Sequence, residues 1–535
     1  MKFSRRQFHH HSLQFLSSLL FPSIISRLFS SQPSSGRVTG DSSLEPSEQL
    51  QDYAERLMGY LSTGPELLIP TYLGNPQRRY YGRGVPQGVN VLQKFPLGTG
   101  VTYVGKIRKV WSGAGWTGQP TIARDEGRIY LVIGSNDYHL RKIDFETNEE
   151  VWRYNFGDVI KGSSSLYIDP NAEPENQIVI LQGSRTGRPK KGIAPSFRAI
   201  SFRTGKEIWK LNIPKTASYS RDNDSTALPL ENGQIFNAAE NGIGYFLNRS
   251  IQATEMKLGF LQPEILGTVK LYTDADRKRQ GGNLVSEASP SRLGDRLFLA
   301  AGSGHIYGID LNQQKIIWDF YTGSDLDGSV VIGKSGKLFC AIEKQYIPGK
   351  GGIIKLNPEK SPVDSVEWFL PTGNTKVSSW RGVIVGSAAI NDEYNPNGYP
   401  ELFATNAIDG YLYIGSQMVT TGKKVKGPLL KRTYAPPKIL VKKKLGASIS
   451  TPIFTDGYKL VTVGYNGLYL FDLNWQTSTA EDTEAIPNSK GQYYKLEIDQ
   501  VGRFNPGISF ESTPVVWDGK IIICCRDGFL YTLGA

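Results

Sequence analysis

From about Thr117 to the C-terminus, the sequence alternates short apolar and polar runs in one repeating order. Each repeat has a small residue before a proline or another small residue, two β-prone runs separated by a turn glycine, a hydrophobic-Asp pair and a closing aromatic residue. The clearest copies extend from Pro120 to Trp152 and from Ser289 to Trp318. Units of roughly 40 to 60 residues with four short strands each are typical of a β-propeller. The pattern therefore predicts an all-β protein.

The repeats can be counted by the start of each inner strand. These starts lie near Thr117, Gly162, Asp224, Glu287, Asp327, Arg381, Ser448 and Glu511. We therefore predict an eight-bladed β-propeller. The last repeat supplies only three strands before the chain ends. We expect residues Val101 to Trp111 to supply its fourth, outer strand, because a ring closed in this way leaves no sheet edge exposed.

The predicted propeller spans residues 101–535, and residues 41–100 precede it as a short helix and a linker. Leu50, Leu57 and Leu61 recur at helical spacing before the sequence Thr63-Gly64-Pro65, which ends a helix. The Pro/Gly-rich stretch that follows has two interpretations. It is an extended linker along the propeller, or a lid over its channel that uses a set of arginines and tyrosines, namely Arg78, Arg79, Tyr80, Tyr81 and Arg83.

Residues 1–40 contain five basic residues, no acidic residue and an apolar run, which is typical of a targeting segment. Arg5-Arg6 followed by Phe8 resembles a bacterial twin-arginine export signal. This predicts a periplasmic or secreted protein, with an organellar transit peptide as the alternative. Without this segment the formal charge falls from +11 to +6, and no apolar stretch of about 18 residues follows it. We therefore expect no nucleic-acid partner and no transmembrane segment in the mature chain, and we expect a monomer.

The repeat sequences resemble those of PQQ-like repeat propellers. The segments that carry the resemblance are GRIYLVIGSNDYHLRKIDFETNEEVW, RAISFRTGKEIW, HIYGIDLNQQKIIW and STPVVWDGKIIICCRDGFLYTLG. Proteins built from such repeats include quinoprotein dehydrogenases, an outer-membrane assembly lipoprotein that binds other proteins, and sensor or scaffold domains, so the fold alone does not select a function. The resemblance also implies that tryptophans dock neighbouring blades, and these are Trp152, Trp209, Trp318, Trp368 and Trp475.

In the quinoprotein dehydrogenases, the quinone stacks between a tryptophan and a disulfide of adjacent cysteines, beside a calcium ion. This chain has one adjacent pair, Cys524-Cys525, but both residues lie inside a predicted strand, where successive side chains point to opposite faces. We interpret them, and Cys340, as strand residues. PQQ is therefore a less favoured cofactor than Ca²⁺.

Aligning the eight repeats on the small-Pro position brings several polar side chains to one rim of the channel. The aligned residues are Thr117, Asp224, Glu287, Asp327, Ile449 and Glu511, with Lys161 or Gly162 in the second repeat and Trp380 or Arg381 in the sixth. The adjacent segments add Trp116, Arg221 and Asn223 to the candidate ligand-binding residues. Like charges that converge on one site destabilise one another, so these carboxylates require a cation, a cationic ligand group or basic partners.

Three uses of this acidic rim remain open. Asp224, Glu287, Asp327 and Glu511 are candidate ligands of a hard cation such as Ca²⁺. Arginine and tryptophan beside carboxylates also suit a peptide or a glycan. The third interpretation is a network of salt bridges and water that seals the channel, and Asp222, Asp325 and Asp392 are equally well explained as turn formers.

Templates for hydrolases and nucleotide-binding proteins are absent from the sequence. The favoured function is therefore non-catalytic: a binding or scaffold protein of the cell envelope that takes a protein, peptide or glycan at the acidic rim. The alternative is a quinone- or Ca-dependent oxidoreductase that acts on an alcohol or sugar, with Asp327 or Glu287 as base and calcium as Lewis acid.

Overall fold

The structure is a computed structural model that describes residues 64–186, 192–373 and 383–535. The predicted helix at residues 43–62 and the targeting segment lie outside these ranges. Eight antiparallel sheets succeed one another along the chain, each built from a short inner strand and three longer ones. The protein is an all-β, eight-bladed β-propeller, as the repeats predict.

Within each of the first four blades, the strands follow one another in chain order from the channel outward. Their bounds are Thr121–Asp125, Arg128–Gly134, His139–Asp144 and Glu150–Asn155 in blade 1; Ser165–Ile168, Ile178–Gly183, Phe197–Ser201 and Glu207–Leu211 in blade 2; Leu228–Pro229, Gln234–Ala239, Ile243–Asn248 and Ile265–Lys270 in blade 3; and Ser291–Leu293, Arg296–Ala301, His305–Asp310 and Lys315–Tyr321 in blade 4.

The other four blades repeat the same arrangement. Their bounds are Val331–Ile332, Leu338–Ile342, Gly352–Leu356 and Val366–Pro371 in blade 5; Ala389–Ile390, Leu402–Asn406, Tyr411–Thr420 and Pro437–Lys444 in blade 6; Ile453–Thr455, Lys459–Gly464, Gly467–Ser478 and Tyr493–Phe504, with Ile486–Pro487 at the edge, in blade 7; and Val515–Trp517, Lys520–Cys524, Phe529–Gly534 and the early strand Asn90–Pro96 in blade 8.

The remaining elements lie outside the four-strand pattern of the blades. They are the hairpins Thr99–Val104/Ile107–Ser112, Thr254–Lys257/Phe260–Pro263 and Val425–Lys426/Thr433–Tyr434, the strands Glu66–Ile69 and Gly82–Arg83, the α-helix Asp274–Gln280, and the 3₁₀ turns Pro174–Asn176 and Pro362–Asp364. The helix begins at a capping box in which Thr273 and Asp276 satisfy each other's backbone N–H groups. No helix in the described ranges is long and apolar enough to cross a membrane.

Neighbouring blades are held together by tryptophans that close the repeats. Trp152, Trp318 and Trp368 each donate an indole N–H to a backbone carbonyl of the next blade, at 2.9, 3.0 and 2.9 Å. A buried indole is apolar except for this one donor, so a carbonyl on the facing sheet satisfies it while the ring fills the space between sheets. The docking role of these three residues is confirmed.

A second set of links lies at the channel end of the blades. The backbone N–H two residues before one inner strand donates to the hydroxyl at the equivalent position of the next blade: Gln119 to Ser163, Thr226 to Ser289, Ser289 to Ser329, Ser329 to Ser387 and Ser387 to Thr451, all at 2.8 to 3.0 Å. This explains why the repeats keep a small hydroxyl residue there, and it fixes the register between blades.

The segment from Glu66 to Gly84, which we call the axial segment, fills the propeller's channel. Glu66–Ile69 pairs with the inner strand of blade 1, and Gly82–Arg83 pairs in parallel with that of blade 8. Between them, Pro70, Pro76 and Gln77 accept backbone hydrogen bonds from the inner strands of blades 2, 4 and 5. The axial segment is therefore part of the propeller core rather than a linker ahead of it, which corrects the boundary predicted at residue 101.

The interior of the axial segment is held by buried polar groups. Arg78 is fully buried, and its guanidinium donates to the carbonyl of Pro290 at 2.9 and 2.6 Å and to Thr71 and the carbonyl of Tyr72, both at 2.7 Å. The hydroxyl of Tyr72 lies 3.1 Å from Thr451 Oγ1 and 3.3 Å from Thr513 Oγ1. The segment therefore seals the channel from within.

The ring is closed by a different strand from the one predicted. Asn90–Pro96 pairs antiparallel with Phe529–Gly534 and is the outer strand of blade 8. Residues 101–111 instead form most of the separate hairpin Thr99–Val104/Ile107–Ser112, in which Ile107 and Val110 are more than half exposed. The predicted closure by residues 101–111 is wrong, because the axial segment leaves the channel along blade 8 and brings the earlier strand to its edge first.

Candidate functional site

The residue four positions before each inner strand stands at the same rim of the channel. Counting back from the observed strands gives Thr117, Lys161, Asp224, Glu287, Asp327, Val385, Ile449 and Glu511. We call this set the rim ring. Lys161 is therefore the member from blade 2. In blade 6 the position belongs to Val385, which corrects the assignment of Trp380 or Arg381; those two residues lie outside the described ranges.

The rim ring has an acidic side and an apolar side. Asp224, Glu287 and Asp327 come from the adjacent blades 3, 4 and 5. On the other side, Val385 and Ile449 form a cluster with Ile408 and Trp116. These four apolar residues are at most 9 % exposed, so they pack against one another and leave the carboxylates as the polar part of the rim.

Glu511 stands apart from the other three predicted carboxylates. It belongs to blade 8, across the ring from blade 4, and its Oε2 lies 3.6 Å from Nε of Arg526. Burial raises the pKa of Glu511, and Arg526 opposes the change. The structure therefore assigns Glu511 to an ion pair rather than to a site shared with Asp224, Glu287 and Asp327.

Lys161 lies among the carboxylates of blades 3 and 4. Its Nζ pairs with Oδ2 of Asp224 and lies 3.7 Å from Oε2 of Glu287. Burial alone would lower the pKa of Lys161, but Asp224, Glu287 and Glu240 raise it well above its ordinary value. Asp224 and Glu287 therefore already hold a primary ammonium.

Two further glutamates reach the same rim from the ends of second strands. Glu240 directly follows Gln234–Ala239, and Glu343 directly follows Leu338–Ile342. A second strand runs antiparallel to the inner strand, so its last residue returns to the rim where the inner strand begins. Sequence reasoning missed both residues because the repeats were aligned only on inner-strand starts. The equivalent residues of other blades are mostly small, such as Ser135 and Gly302, which was the available signal.

Asp325 joins this group from the loop before the blade 5 inner strand. It is 7 % exposed, and its carboxylate accepts hydrogen bonds from the Leu326 N–H at 3.1 Å and from Asn283 Nδ2 at 2.8 Å. It therefore shapes a turn and also contributes charge to the site. We call the six carboxyl groups together the acidic chamber; its members are Asp224, Glu240, Glu287, Asp325, Asp327 and Glu343.

Burial raises the pKa values of Glu240, Glu287, Asp325, Asp327 and Glu343. The pKa of Glu287 rises to about 7, against the opposing charge of Lys161. Burial raises the pKa of Asp325 to about 6 and, with the charge of Asp325, that of Glu343 to about 8. Burial and neighbouring carboxylates also hold the pKa values of Glu240 and Asp327 well above their ordinary range. The chamber therefore keeps part of its protons at neutral pH.

Several carboxylate oxygens in the chamber have no donor. Among the described residues, Oδ1 of Asp224, Oε1 of Glu240 and Oε1 of Glu343 have no hydrogen-bond partner, although their side chains are at most 3 % exposed. Buried acceptors are nearly always satisfied, so orphaned acceptors indicate a ligand, an ion or water at the site. Oxygens of Asp224, Glu240 and Glu287 all lie within 4.8 Å of one another, a spacing that suits a metal ion. The sequence predicts Asp224, Glu287, Asp327 and Glu511 as metal ligands. The structure instead groups Glu240 with Asp224 and Glu287, and leaves Asp327 and Glu511 out of this set.

Two exposed tyrosines stand at the mouth of the chamber. The Tyr219 side chain is 69 % exposed, and its hydroxyl lies 3.1 Å from Oδ1 of Asn283. Nδ2 of Asn283 donates to the hydroxyl of Tyr346, also 3.1 Å away, and Tyr346 is 51 % exposed. Partial desolvation of the hydroxyl, which lies against Asn283, and the charges of Glu287, Glu240, Asp325 and Asp327 raise the pKa of Tyr219. The hydroxyl of Tyr219 is thus close enough to the carboxylates of blades 3, 4 and 5 to sense their charge.

Two of the predicted binding residues are turned away from the chamber. Arg221 donates to the carbonyls of Ile213 and Gly192, both at 2.7 Å. Asn223 is fully buried and exchanges hydrogen bonds with the side chain of Asn237 at 3.3 and 2.8 Å. These residues support blade 3 and do not face a ligand.

The adjacent cysteines do not fit the quinone-stacking arrangement. Cys524 and Cys525 are free thiols, each 1 % exposed, with Cys524 at the end of a strand of blade 8. Burial raises the pKa of both thiols. The pair therefore does not offer the stacking disulfide that PQQ would require, and these residues do not fit that cofactor.

Comparison with known proteins gives a likeness of fold. No protein-family signature and no curated protein matches the sequence. The crystal structure of BamB from Moraxella catarrhalis is 11 % identical over 84 % of this chain and 100 % of that chain, with a TM-score of 0.48. A Dos1 propeller is 13 % identical over 83 % of this chain and 95 % of that chain, with a TM-score of 0.49. At this identity the likeness concerns the propeller fold alone.

Proposed function

We propose that this protein is a non-catalytic binding propeller whose ligand places a cationic group in the acidic chamber. The observation that best supports this proposal is that Asp224, Glu240 and Glu343 each have a buried carboxylate oxygen without a donor among the described residues. Of the six carboxyl groups, only Asp224 and Glu287 lie within ion-pair distance of a basic group of the described residues, Lys161, so the chamber has more acceptors and more negative charge than this lysine can satisfy. A cationic group supplies both the charge and the donors.

The tyrosines at the mouth favour a peptide or protein as the carrier of that group. Tyr219 and Tyr346 are 69 % and 51 % exposed, whereas Trp116, Val385 and Ile449 across the rim are at most 9 % exposed and packed together. Exposed aromatic rings beside a charged pocket suit a segment that presents a basic and an apolar side chain together, which a bare ion cannot do. The axial segment closes the channel behind the chamber, so binding takes place at the rim rather than through the ring.

A binding assay with matched variants tests this proposal. The wild-type protein, Asp327→Asn and the control Glu359→Gln are titrated with a fluorescent library of short peptides, of which half carry lysine or arginine beside an apolar residue. We expect the basic peptides alone to bind the wild type and Glu359→Gln, and Asp327→Asn to bind at least tenfold more weakly. The control also removes one carboxylate, but Glu359 is exposed and pairs with Arg296 on the outer surface. Equal affinity for acidic, neutral and basic peptides would contradict the proposal.

We further propose that the protein works in the bacterial cell envelope, because Arg5-Arg6 and the apolar run after them resemble an export signal. These residues lie outside the described ranges. Replacing both arginines by lysine should leave the precursor in the cytoplasm, measured by fractionation of cells. Normal delivery of the double variant to the periplasm would refute this placement.

A further inference from the structure

The acidic chamber contains two separate groups of three carboxyls. The first, Asp224, Glu240 and Glu287, surrounds the ammonium of Lys161. The second, which we call the outer triad, consists of Asp325, Asp327 and Glu343. Among the described residues, no lysine or arginine lies within ion-pair distance of the outer triad, and the side-chain donors that face it are the amides of Asn283 and Gln345.

The outer triad also has a polar atom that is buried and unsatisfied. Glu343 is fully buried; its Oε2 accepts a hydrogen bond from Gln345 Nε2 at 2.9 Å, its Oε1 has no hydrogen-bond partner among the described residues, and its carboxyl group adjoins that of Asp327. Two adjacent buried carboxyls share a proton when no cation is present, and they ionise when one arrives. The pair is therefore suited to exchange a proton for a cation.

The residues at the mouth suit an alkyl chain that carries the charge. Tyr219 and Tyr346 present exposed rings on both sides of Asn283, and Asn283 also donates to Asp325. Aromatic faces attract ammonium groups and pack against methylenes. A hard divalent cation prefers six to eight oxygen ligands and gains little from such rings.

Resting on the proposed function, we infer that the ligand's cationic group is an alkylammonium, a lysine side chain of a peptide or a free polyamine, which passes between Tyr219 and Tyr346 to the outer triad. The first triad shows within the molecule how such a group is held, because it holds the Lys161 ammonium with carboxylates of blades 3 and 4. The ligand's ammonium takes the equivalent place against blade 5, so the two ammonium groups lie in neighbouring triads.

Binding of this group releases protons. An ammonium stabilises the ionised form of Asp327 and Glu343, whose pKa values are held up by burial. The other charged or titratable groups around Asp327 and Glu343 are Asp325, Glu287 and Tyr219. Asp325 and Glu287 contribute in the same direction, while Lys161, which pairs with Asp224 and lies beside Glu287, stays charged throughout. Affinity should therefore rise between pH 6 and pH 8.5.

Calorimetric titration of the full chain tests the inference with four probes: spermidine, acetyl-Gly-Lys-Gly-amide, acetyl-Gly-Arg-Gly-amide and CaCl₂. We expect spermidine or the lysine peptide to bind at least tenfold more tightly than the arginine peptide and Ca²⁺. Titrations in two buffers of different ionisation enthalpy should show release of about one proton. The tighter of the two amines identifies the source of the ammonium, and either order supports the inference.

Variants locate the site and separate the two proposals. Glu343→Gln should weaken amine binding at least tenfold, Tyr219→Ala about fivefold, and Glu359→Gln not at all; the melting temperature of each confirms folding. If the arginine peptide or Ca²⁺ binds more tightly than both amines, the inference is overturned while the cationic chamber stands. If amines bind but Glu343→Gln and Tyr219→Ala have no effect, the placement at the outer triad is overturned. If no probe binds the wild type, the alkylammonium inference is overturned, and the peptide-library assay decides the proposed function separately.

Discussion

Within the rim ring, Asp224 and Asp327 occupy equivalent positions but have opposite surroundings. Asp224 is 1 % exposed and pairs with the Lys161 ammonium. Asp327 has only carboxyls as charged neighbours among the described residues, and burial with Glu343 and Asp325 raises its pKa. Removing the charge of Asp224 leaves a buried ammonium with one partner fewer, whereas neutralising Asp327 relieves repulsion.

We therefore predict opposite effects of two conservative substitutions. Asp224→Asn should lower the free energy of unfolding by about 3 kcal/mol, the usual cost of breaking a buried ion pair. Asp327→Asn should leave the melting temperature unchanged or raise it. Thermal unfolding of both variants and the wild type at pH 7.5 measures the difference. A marked drop for Asp327→Asn would mean that the carboxylate has a structural basic partner.

The chamber also makes the stability of the protein depend on pH. Folding raises the pKa of Glu343 to about 8, so this carboxyl is protonated in the folded state over a range where the unfolded chain has already ionised. Its contribution to stability is complete below its ordinary pKa and is lost as the pH rises toward 8. The same sign holds for Glu287 and Asp325, whose losses lie at lower pH.

Glu343→Gln should therefore flatten this pH dependence. The glutamine cannot ionise, so the variant should be more stable than the wild type at pH 8 by about 2 kcal/mol and similar to it at pH 5. Melting temperatures from pH 5 to pH 8.5 provide the measurement, with the exposed Glu359→Gln as the control that should follow the wild-type curve. Parallel curves for wild type and Glu343→Gln would show that this carboxyl does not titrate in the range.

For single residues, aligning the repeats of this chain with one another predicts the rim positions of seven blades, but not which side chains lie around them. Asp224, Glu287 and Asp327 were found because the small-Pro motif fixes the register of the inner strand. Blade 6 lacks that motif at the expected spacing, so Arg381 was placed where Val385 stands. Glu240 and Glu343 were missed because the end of a second strand becomes a neighbour of an inner-strand start only after the sheet has formed.

At the scale of elements, the axial segment replaces the water-filled channel expected of an open ring by a packed core. Arg78 is its centre: burial lowers the pKa of this guanidinium to about 9, and its donors satisfy three acceptors on Pro290, Thr71 and Tyr72. At Gly82 the segment passes so close to blade 8 that an added Cβ would lie 1.6 Å from the carbonyl oxygen of Val516. No larger residue fits there without moving the backbone.

Arg78→Met should destabilise the protein by about 3 kcal/mol. The methionine fills most of the volume but leaves the buried carbonyls of Pro290 and Tyr72 without donors, and each costs about 1 to 3 kcal/mol. Arg83→Ala is the matched control, since Arg83 is half exposed and pairs with Asp456 at the surface; we expect a change below about 1 kcal/mol. Chemical denaturation of the two variants compares them, and equal losses would show that burial of Arg78 adds nothing.

The composition of the axial segment predicts an irregular segment, but it does not predict the path of that segment through the channel. The run of prolines, glycines, arginines and tyrosines indicated an irregular segment close to the propeller. Its backbone pairs with strands from blade 1 and blade 8 at once, and such non-local pairing leaves no periodic pattern in the segment itself. The lid interpretation was nearer to the observed position than the linker interpretation.

At the scale of the whole molecule, ring closure depends on Asn90–Pro96 rather than on the hairpin after it. Phe95 is 8 % exposed, and the Lys94 ammonium lies 3.7 Å from the ring centre of Phe529. Replacing residues 90–96 by glycine and serine should leave an open edge on blade 8 and lower the melting temperature by about 5 °C or more. Replacing residues 101–110 by a short glycine-serine turn should change it much less. Similar losses in the two variants would place closure elsewhere.

Repeat counting predicted the eight blades and their tryptophan contacts, because each blade is encoded locally. Closure is not local: it joins Asn90–Pro96 to the last strand of the chain, Phe529–Gly534. Both Asn90–Pro96 and residues 101–111 are β-prone, so the sequence offered two candidate strands. Only the path of the axial segment, which ends beside blade 8 at Arg83, decides between them.

The axial segment reverses the usual relation between synthesis and folding. It leaves the ribosome before any blade, yet Tyr72 finds Thr513 only 441 residues later in the chain. The segment's contacts with blades 1, 2, 4 and 5 can form as those blades are made, but its contacts with Thr513 and with Val515–Trp517 wait for blade 8. The first part of the propeller to be made is thus among the last to be fully fixed. A chain that is cut short before Thr513 would build most of its blades and still leave Gly82–Arg83, at the end of the axial segment, without a partner strand.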